Sequence, residues 1–267
     1  MRDLLSGNEA IALGAYHAGL AVAAAYPGTP STEILESIAH LGDVYAEWAP
    51  NEKVAYDVAL GASLGGARAL VSMKHVGLNV AADPFFSSSY VGVGGGLVVV
   101  SADDPGMHSS QNEQDNRHYA RAAKVPLLEP ADSQEAYDFA RLAFDISERF
   151  NTPVLLRTTT RVAHSRTVVE TTRERLAPRA AKFVHNAQRY VVIPAHARRL
   201  HPQVEQRQRE LAAYAETFPG NRVERGDGRL GIVTSGVAYQ YAREVFPRAS
   251  VLKLGLSYPL PVGLVRS

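Results

Sequence analysis

Short apolar runs alternate with longer amphipathic segments over the first 165 residues of the chain. Apolar residues that recur every three or four positions predict helices over 8–19, 31–40, 51–65, 78–86 and 133–150. The apolar runs between them predict strands at 20–25, 44–47, 69–73, 96–100 and 154–156. The run 96–100 is apolar throughout, which is typical of a parallel strand buried on both faces. The pattern therefore predicts an α/β fold with a doubly wound parallel sheet over residues 1–165.

The pattern changes after residue 165. Residues 166–229 are rich in arginine, contain four prolines and show one good helical pattern at about 197–217, so we interpret them as a linker with some extended structure. A strand at 230–234, a helix at 236–245 and a strand at 251–254 predict the start of a second α/β domain over 230–267. One βαβ unit cannot close a core by itself. We therefore expect this chain to be the front part of a longer protein.

Composition narrows the class of protein. An apolar fraction of 46% over 267 residues supplies ample material for a core. A formal net charge of +1 gives no sign of nucleic acid or an anionic membrane as a partner. The absence of cysteine excludes disulfides and any iron–sulfur ligation by this chain, and the histidine spacing predicts no metal site. Without a signal-peptide pattern or a membrane-length apolar run, we expect a cytoplasmic protein.

Two polar side chains follow predicted strands closely. Thr29 lies in a Pro-Gly-Thr-Pro turn just after strand 20–25, and open α/β sheets bind ligands at such strand ends. Its hydroxyl could hydrogen-bond a ligand carboxylate, or it could be a turn residue without a ligand. Glu52 follows strand 44–47 and begins a helix. It could hydrogen-bond a protonated ring nitrogen, although the helix dipole alone also favours an acidic residue there.

Two further features leave their roles open. Lys74 and His75 end strand 69–73, so they could face the same cleft, or they could be a solvated lysine and a packed histidine. Residues 109–117 form an unusually long polar run for a connection. Such loops are often functional, and a solvated surface loop is the alternative.

Several long motifs, in this order, resemble one family. They include Tyr-Pro-Gly-Thr-Pro-Ser-Thr-Glu at 26–33, Glu-Trp-Ala-Pro-Asn-Glu-Lys-Val-Ala at 47–55 and Ser-Met-Lys-His-Val-Gly-Leu-Asn at 72–79. Further segments lie at 61–68, 104–117, 234–241 and 252–261. Together they resemble the N-terminal part of the 2-oxoacid:ferredoxin oxidoreductases, and most of all the alpha subunit of the indolepyruvate-specific branch. The resemblance covers nearly the whole chain and is weakest over 166–229.

The resemblance implies a cofactor and a set of site residues. That family uses thiamine diphosphate, and residues 1–165 would form the domain that binds its pyrimidine ring. Glu52 would be catalytic and would hydrogen-bond N1′ of that ring. The other implied cofactor contacts are Pro27, Gly28 and Asn79. The implied substrate contacts are Thr29, Lys74 and His75.

The resemblance also implies a reaction and partners. An aryl-pyruvate and coenzyme A would be converted to an aryl-acetyl-CoA and carbon dioxide in amino-acid catabolism, with ferredoxin as the electron acceptor. The diphosphate and Mg²⁺ site would lie outside this chain. Any [4Fe-4S] clusters would lie in a missing part or in partners, and we expect a beta subunit, a homo-oligomer or both.

One departure from the family pattern bears on the substrate. Relatives that act on pyruvate place an arginine shortly after the strand equivalent to 96–100, whereas this chain has Ser101-Ala102-Asp103-Asp104 there. This favours a larger aryl-pyruvate held partly by apolar contact, with Phe85, Phe86 and Met107 as candidates for the pocket. The alternatives are the same chemistry on pyruvate or 2-oxoglutarate, or a non-catalytic module that keeps the thiamine fold.

Overall fold

The computed structural model describes residues 1–172, 174–178, 180 and 182–267, which form twelve strands and twelve helices. The strands are β1 (Arg2–Ser6), β2 (Val22–Ala25), β3 (Tyr45–Trp48), β4 (Ala69–Lys74), β5 (Leu97–Asp103), β6 (Leu127–Leu128), β7 (Val154–Thr159), β8 (Arg166–Glu170), β9 (Arg222–Glu224), β10 (Gly231–Ser235), β11 (Ser250–Leu254) and β12 (Leu256–Tyr258). The helices are α1 (Gly7–His17), α2 (Thr32–Ala39), α3 (Glu52–Leu64), α4 (His75–Val80), α5 (Ala82–Val91), α6 (Arg117–Ala123), α7 (Ser133–Phe150), α8 (Thr160–His164), α9 (Ala187–Tyr190), α10 (Pro194–Ala215), α11 (Ala238–Val245) and α12 (Val262–Arg266).

A seven-stranded sheet forms the centre of the molecule. Its strand order is β12-β6-β7-β5-β4-β2-β3, and all of these strands are parallel except the edge strand β12. The chain runs from β2 outward to β3 and then returns to the other side of β2 to form β4. Strand order reverses at this point, so the carboxyl ends of β2 and β4 flank a crevice of the kind that binds ligands in open α/β sheets. The predicted doubly wound parallel sheet is confirmed.

Helices cover both faces of this sheet and create two apolar cores. On one face α1, α2 and α7 contribute fully or nearly fully buried side chains such as Ile11, Ile34 and Phe144. On the other face α3 and α5 contribute Tyr56 and Phe85, whose rings meet edge to face at 6.2 Å. Because the central strands are buried from both sides, they have no polar face, which explains the continuous apolar runs in the sequence.

Several elements differ from the sequence-based expectation. The helix predicted over 78–86 is a pair of helices, α4 and α5, which begin earlier and end later and meet at Ala81. The unpredicted strand β1 pairs antiparallel with β8, which lies inside the region that we interpret as a linker. In the same region α10 buries Leu200, Val204 and Leu211. The short, partly polar strands carried no period that could distinguish them from loop.

The last residues of the chain form two different associations. Strands β10 and β11 are parallel, as the predicted βαβ unit requires, and β9 pairs antiparallel with β11. By contrast, β12 leaves this small sheet and joins the large one beside β6. The domain division at residues 165 and 229 therefore stays a prediction. Within the described residues, no helix combines the length and apolarity needed to cross a membrane.

Candidate functional site

The turn after β2 lies at the crevice between β2 and β4 and is held by its own hydrogen bonds. Gly28 N–H donates to the Thr32 hydroxyl at 3.0 Å, and the Ser31 backbone N–H donates to the Gly28 carbonyl at 3.0 Å. The peptide bond between Thr29 and Pro30 is cis. The half-buried Thr29 makes no side-chain hydrogen bond to the described part of the chain, so its hydroxyl is available to another molecule.

Glu52 is the first residue of α3 and lies beside the same crevice. The side chain of Asn51 caps the helix by accepting a hydrogen bond from Val54 N–H at 3.0 Å, which fixes the direction of the first turn. Glu52 is only 8% exposed, yet its carboxylate accepts no hydrogen bond from the residues that the structure describes. Buried carboxylates are normally hydrogen-bonded. The oxygens of this one keep a small accessible surface and have no partner among the described residues, so they are open to a donor from a ligand.

Gly77 on α4 makes room for the Glu52 side chain. A Cβ atom at position 77 would lie 2.6 Å from Glu52 Oε1 and 2.7 Å from its Cγ. Gly28 has a similar relation to Lys74, because a Cβ there would lie 2.9 Å from Lys74 Cδ. These two close approaches bring the turn after β2, the start of α3 and the start of α4 into contact around one crevice.

Lys74 and His75 differ in their surroundings. Lys74 is half-buried, and its Nζ donates to the Ser109 carbonyl at 3.0 Å. His75 is fully buried, with Nε2 at 2.8 Å from the Asn112 carbonyl. Since a carbonyl only accepts, Nε2 carries the proton in this contact, and Nδ1 is left as a buried acceptor without a partner among the described residues. The histidine is thus packed beneath the loop, whereas the ammonium group of Lys74 bridges the loop and the crevice.

The polar segment 104–116 is a largely exposed loop that buried side chains anchor at its two ends. Asp104 accepts hydrogen bonds from the Thr160 hydroxyl at 2.6 Å and from Ser109 N–H at 2.7 Å. Burial alone would raise the pKa of Asp104, but these hydrogen bonds outweigh burial and lower it to about 2. The carboxylate is therefore charged above that pH and holds the loop over Lys74 and His75.

A buried ion network lies behind this loop. Arg157 on β7 is 7% exposed and donates to Asp103 at 2.7 Å and to Glu129 at 2.8 Å. Glu129 also accepts a hydrogen bond from Ser235 at the end of β10 at 3.1 Å. Asp103 accepts from the backbone N–H of Asn116, at the end of the loop. The network therefore ties the loop, the large sheet and the small sheet together.

The structure brings together only some of the residues that the sequence nominates. Gly28 lies against Lys74, Glu52 lies against Gly77, and Thr29 follows Gly28 in the turn after β2, whereas His75 lies beneath the adjoining loop. Asn79 is exposed on the last turn of α4, where its side chain accepts a hydrogen bond from Tyr119 at 2.6 Å. Pro27 is exposed in the turn. The described residues contain no cluster of three or more metal-ligating side chains.

The structure corrects the role predicted for Phe85 and adds two residues, Gly77 and Arg157, that the sequence analysis did not identify. The interpretation of Phe85 as a pocket residue is wrong, because its ring is fully buried in the core against Tyr56. Phe86 and Met107 are exposed. Sequence reasoning missed Gly77, since a glycine inside a helix gives no sign of what it accommodates. It also missed Arg157, although an arginine directly after the apolar run 154–156 was a visible signal of a buried ion pair.

Comparisons with known proteins identify the family of the chain. Residues 13–217 match the family described as "Pyruvate flavodoxin/ferredoxin oxidoreductase, thiamine diP-bdg". The chain is 48% identical to "Indolepyruvate oxidoreductase subunit IorA" of Archaeoglobus fulgidus, over 98% of this chain and 44% of that protein. It is 49% identical to the protein of the same name from Methanothermobacter thermautotrophicus, again over 98% and 44%. The chain thus spans less than half the length of these relatives.

A solved structure has the same fold. It is titled "2-oxoglutarate:ferredoxin oxidoreductase from Magnetococcus marinus with 2-oxoglutarate, coenzyme A and succinyl-CoA bound". The match has a TM-score of 0.77 and covers 99% of this chain and 55% of that one. At 18% identity, the likeness supports the fold and carries no information on the substrate.

Proposed function

The chain belongs to the pyruvate flavodoxin/ferredoxin oxidoreductase family, and we propose that it forms the pyrimidine-binding part of a thiamine diphosphate-dependent indolepyruvate:ferredoxin oxidoreductase. The observation that carries this proposal is Glu52, a buried carboxylate with no donor among the described residues, at the switch point of a doubly wound sheet. A protonated ring nitrogen would satisfy it, which fits the thiamine-binding description of the family.

The residues around the crevice then have separate roles. When bound, thiamine diphosphate supplies a carbon nucleophile and an electron sink for the 2-oxoacid. Glu52 holds a proton at N1′ of the pyrimidine. Pro27, Gly28 and Asn79 would contact the cofactor. Their proposed roles rest on their positions at the turn after β2 and on α4.

Lys74 and Thr29 would bind the substrate carboxylate. Lys74 Nζ uses one of its three N–H donors for the hydrogen bond to the Ser109 carbonyl, so two N–H donors are left for an anion. Asp103 and Asp104 at the end of β5 are acidic, and Arg157 nearby is already engaged by two carboxylates. That leaves Lys74 as the cation best placed at the crevice. His75 would act by supporting the loop that Lys74 contacts.

We assign an aryl-pyruvate as the substrate. Identity of 48–49% to proteins named indolepyruvate oxidoreductase subunits supports this choice. Phe86 is exposed on α5, and its ring lies 6.3 Å from that of Tyr119, whose hydroxyl donates a hydrogen bond to Asn79 on α4. These two rings offer an apolar surface for an indole group, and Met107 is a further exposed apolar side chain on the loop after β5.

Other proteins or segments would complete the enzyme. The chain contains no cysteine, so clusters that pass electrons to ferredoxin would be held elsewhere. Coenzyme A, ferredoxin, a beta subunit and the Mg²⁺–diphosphate site complete the proposal. Support for a partner comes from the relatives, which are named as subunits.

The test of this function compares substrates. This chain is combined with the segments that its longer relatives carry outside the matched part and with a partner subunit, and dye reduction is measured with thiamine diphosphate, Mg²⁺ and coenzyme A. We expect kcat/KM for indolepyruvate to exceed that for pyruvate by at least about tenfold, because an apolar pocket discriminates by this order for a group of that size. A higher value for pyruvate or 2-oxoglutarate would overturn the aryl assignment.

Gly77 provides a more local prediction. Gly77→Ala is expected to push the Glu52 carboxylate aside, because the new Cβ cannot lie 2.6 Å from Oε1. Since Glu52 is a flexible side chain, we expect the unfolding free energy to change by less than about 1 kcal/mol, while activity falls at least about tenfold.

The control for this prediction is Gly61→Ala on α3, where a Cβ atom would meet nothing within 4 Å. That variant should keep full activity and gain up to about 1 kcal/mol of stability. Thermal unfolding and dye reduction, measured on both variants, check the pair. Equal activity in both would mean that the Glu52 position does not matter.

A further inference from the structure

A cavity of about 750 Å³ lies far from the crevice, where α5 and α7 end and α9 and α10 pass over them. In a doubly wound fold the connecting helices run antiparallel to the strands, so the carboxyl ends of α5 and α7 lie at the opposite edge of the sheet. The volume falls in the usual range for a small-molecule site. Four arginines line it: Arg149, Arg189, Arg199 and Arg207.

Arg207 is the most unusual of the four. It is 7% exposed, and its guanidinium donates to the Asn151 carbonyl at 3.0 Å and to the Ser89 carbonyl. Its Nε is buried without a partner among the described residues. Burial without a carboxylate lowers the pKa of Arg207 to about 10, so the group is charged at neutral pH. A buried guanidinium that lines a cavity without a carboxylate partner leaves a positive charge for an anion to balance.

Arg189 is fixed in a similar way. Its guanidinium donates to the carbonyls of Val91 and Val93 and to the side chain of Asn151 at 2.9 Å. These acceptors lie at the ends of α5 and α7. A helix end carries only about half a negative charge, so the two ends orient the arginines without neutralising both.

The remaining two arginines are exposed, and the groups that their guanidiniums contact are neutral. Arg149 lies over the rings of Phe150 and Tyr214, at 5.0 Å and 4.9 Å from their centres. Arg199 reaches only the Gln188 side chain, at 3.4 Å. Within the described residues none of the four forms an ion pair, whereas Arg68, Arg157 and Arg222 elsewhere each contact at least two carboxylates.

One carboxylate, that of Glu210, lines the cavity against these four guanidinium groups. It accepts a hydrogen bond from Gln206 at 2.9 Å rather than from an arginine. Four guanidinium charges, less the carboxylate of Glu210 and two helix ends of about half a negative charge each, leave a local net charge of about +2. The lining is also mainly polar, with amides from Asn186, Gln188, Gln203 and Gln206. The cavity therefore suits a multiply charged, strongly hydrogen-bonding anion and not an apolar one.

We propose that this cavity binds a small molecule that carries a diphosphate or triphosphate group. Guanidinium forks match phosphate oxygens in pairs, and two of the four forks are already oriented by carbonyls. The Tyr90 ring lies at the cavity wall and stacks on His201. These rings offer an aromatic surface on which a base or another planar substituent could stack. The site is separate from the crevice and does not depend on the function proposed for it.

The test uses isothermal titration calorimetry on the whole chain, at low ionic strength and without thiamine diphosphate. The probes are inorganic pyrophosphate, ADP and orthophosphate. We expect saturable one-to-one binding of pyrophosphate and ADP, and much weaker binding of orthophosphate. Tighter binding of ADP would identify a nucleotide, whereas equal binding would identify the phosphate chain alone as the recognised group.

Three variants locate the binding. Arg199→Gln should weaken pyrophosphate binding about tenfold, because a charge-assisted contact is lost. Glu210→Gln should tighten it severalfold, since it removes a like charge. The matched control is Arg198→Gln, the neighbouring exposed residue on α10 that does not line the cavity; it should change the affinity less than about twofold.

Two results would overturn the proposal. One is the absence of saturable binding by pyrophosphate and ADP. The other is equal weakening by Arg198→Gln and Arg199→Gln, which would mean that binding reflects the general charge of α10. Thermal unfolding of each variant, without probe, must match that of the parent chain, and Arg199→Lys provides a second variant that keeps the charge and loses the fork.

Discussion

Replacing Glu52 by Gln is expected to lower the rate of 2-oxoacid oxidation by the assembled enzyme at least about 100-fold, the usual scale for losing a proton-transfer group. Gln has nearly the same shape, so it fills the same space beside Gly77. It cannot hold a proton at N1′ as a carboxylate does. Because the carboxylate of Glu52 accepts no bond from the described chain, the fold should hardly notice the change.

The measurement is dye reduction at saturating indolepyruvate and thiamine diphosphate, with thermal unfolding of the same samples. Glu33→Gln is the matched control. Glu33 also lies in the first turn of a helix after a strand of the same sheet, but its carboxylate accepts a hydrogen bond from Asn8 at 2.9 Å. It should keep activity within about twofold. If Glu52→Gln does likewise in a complex that assembles, this chain is a non-catalytic module with the thiamine fold.

The central fold could be predicted because burial on both faces leaves a simple mark on the sequence. The run Leu97–Val100 has no polar position, and the helix α7 shows a clear 3.6-residue period, so both were found with nearly correct bounds. The strands β1, β8 and β12 could not be found in this way. They are short and lie at edges, where one side faces solvent and pairing depends on residues distant in sequence, such as Arg2 with Glu170.

Only part of the candidate site could be predicted from the sequence, because some of its residues depend on contacts between distant parts of the chain. Glu52 and Thr29 follow strands directly, so the geometry of a parallel sheet predicts their shared edge. Gly77 matters because of what a Cβ would strike in three dimensions, and no pattern encodes that. The role of His75 likewise depends on a loop 37 positions away in the chain, whose Asn112 carbonyl occupies its Nε2.

The network around Arg157 also depends on contacts between distant parts of the chain, because it connects elements that lie far apart in the sequence. Asp103 ends β5, Glu129 follows β6, and Ser235 ends β10, yet all three meet within two hydrogen bonds of one guanidinium. Through Asn116 the same network fixes the end of the loop that covers His75. The order of this loop thus depends on the buried guanidinium of Arg157, which is not among the residues proposed to bind the cofactor or the substrate.

Replacing Arg157 by Met is accordingly expected to destabilise the chain by about 3–5 kcal/mol, the usual cost of leaving buried partners of an ion pair without their counter-charge. Asp103 is fully buried and Glu129 is 1% exposed, so neither carboxylate has water to replace the guanidinium. Methionine fills a similar volume, which keeps the effect electrostatic. The measurement is the free energy of unfolding in urea, followed by circular dichroism.

The matched control and the pH dependence decide whether charge is the cause. Arg117→Met removes a second guanidinium from Glu129, but that side chain is 42% exposed, so we expect a loss of at most about 1 kcal/mol. Burial already raises the pKa of Asp103, opposed by Arg157, and removing Arg157 raises it further. A carboxyl with a raised folded-state pKa is protonated in the folded state as pH falls, so the deficit of Arg157→Met should shrink from pH 8 toward about pH 5. A deficit that is equal at both pH values, or equal in the two variants, would indicate lost packing instead.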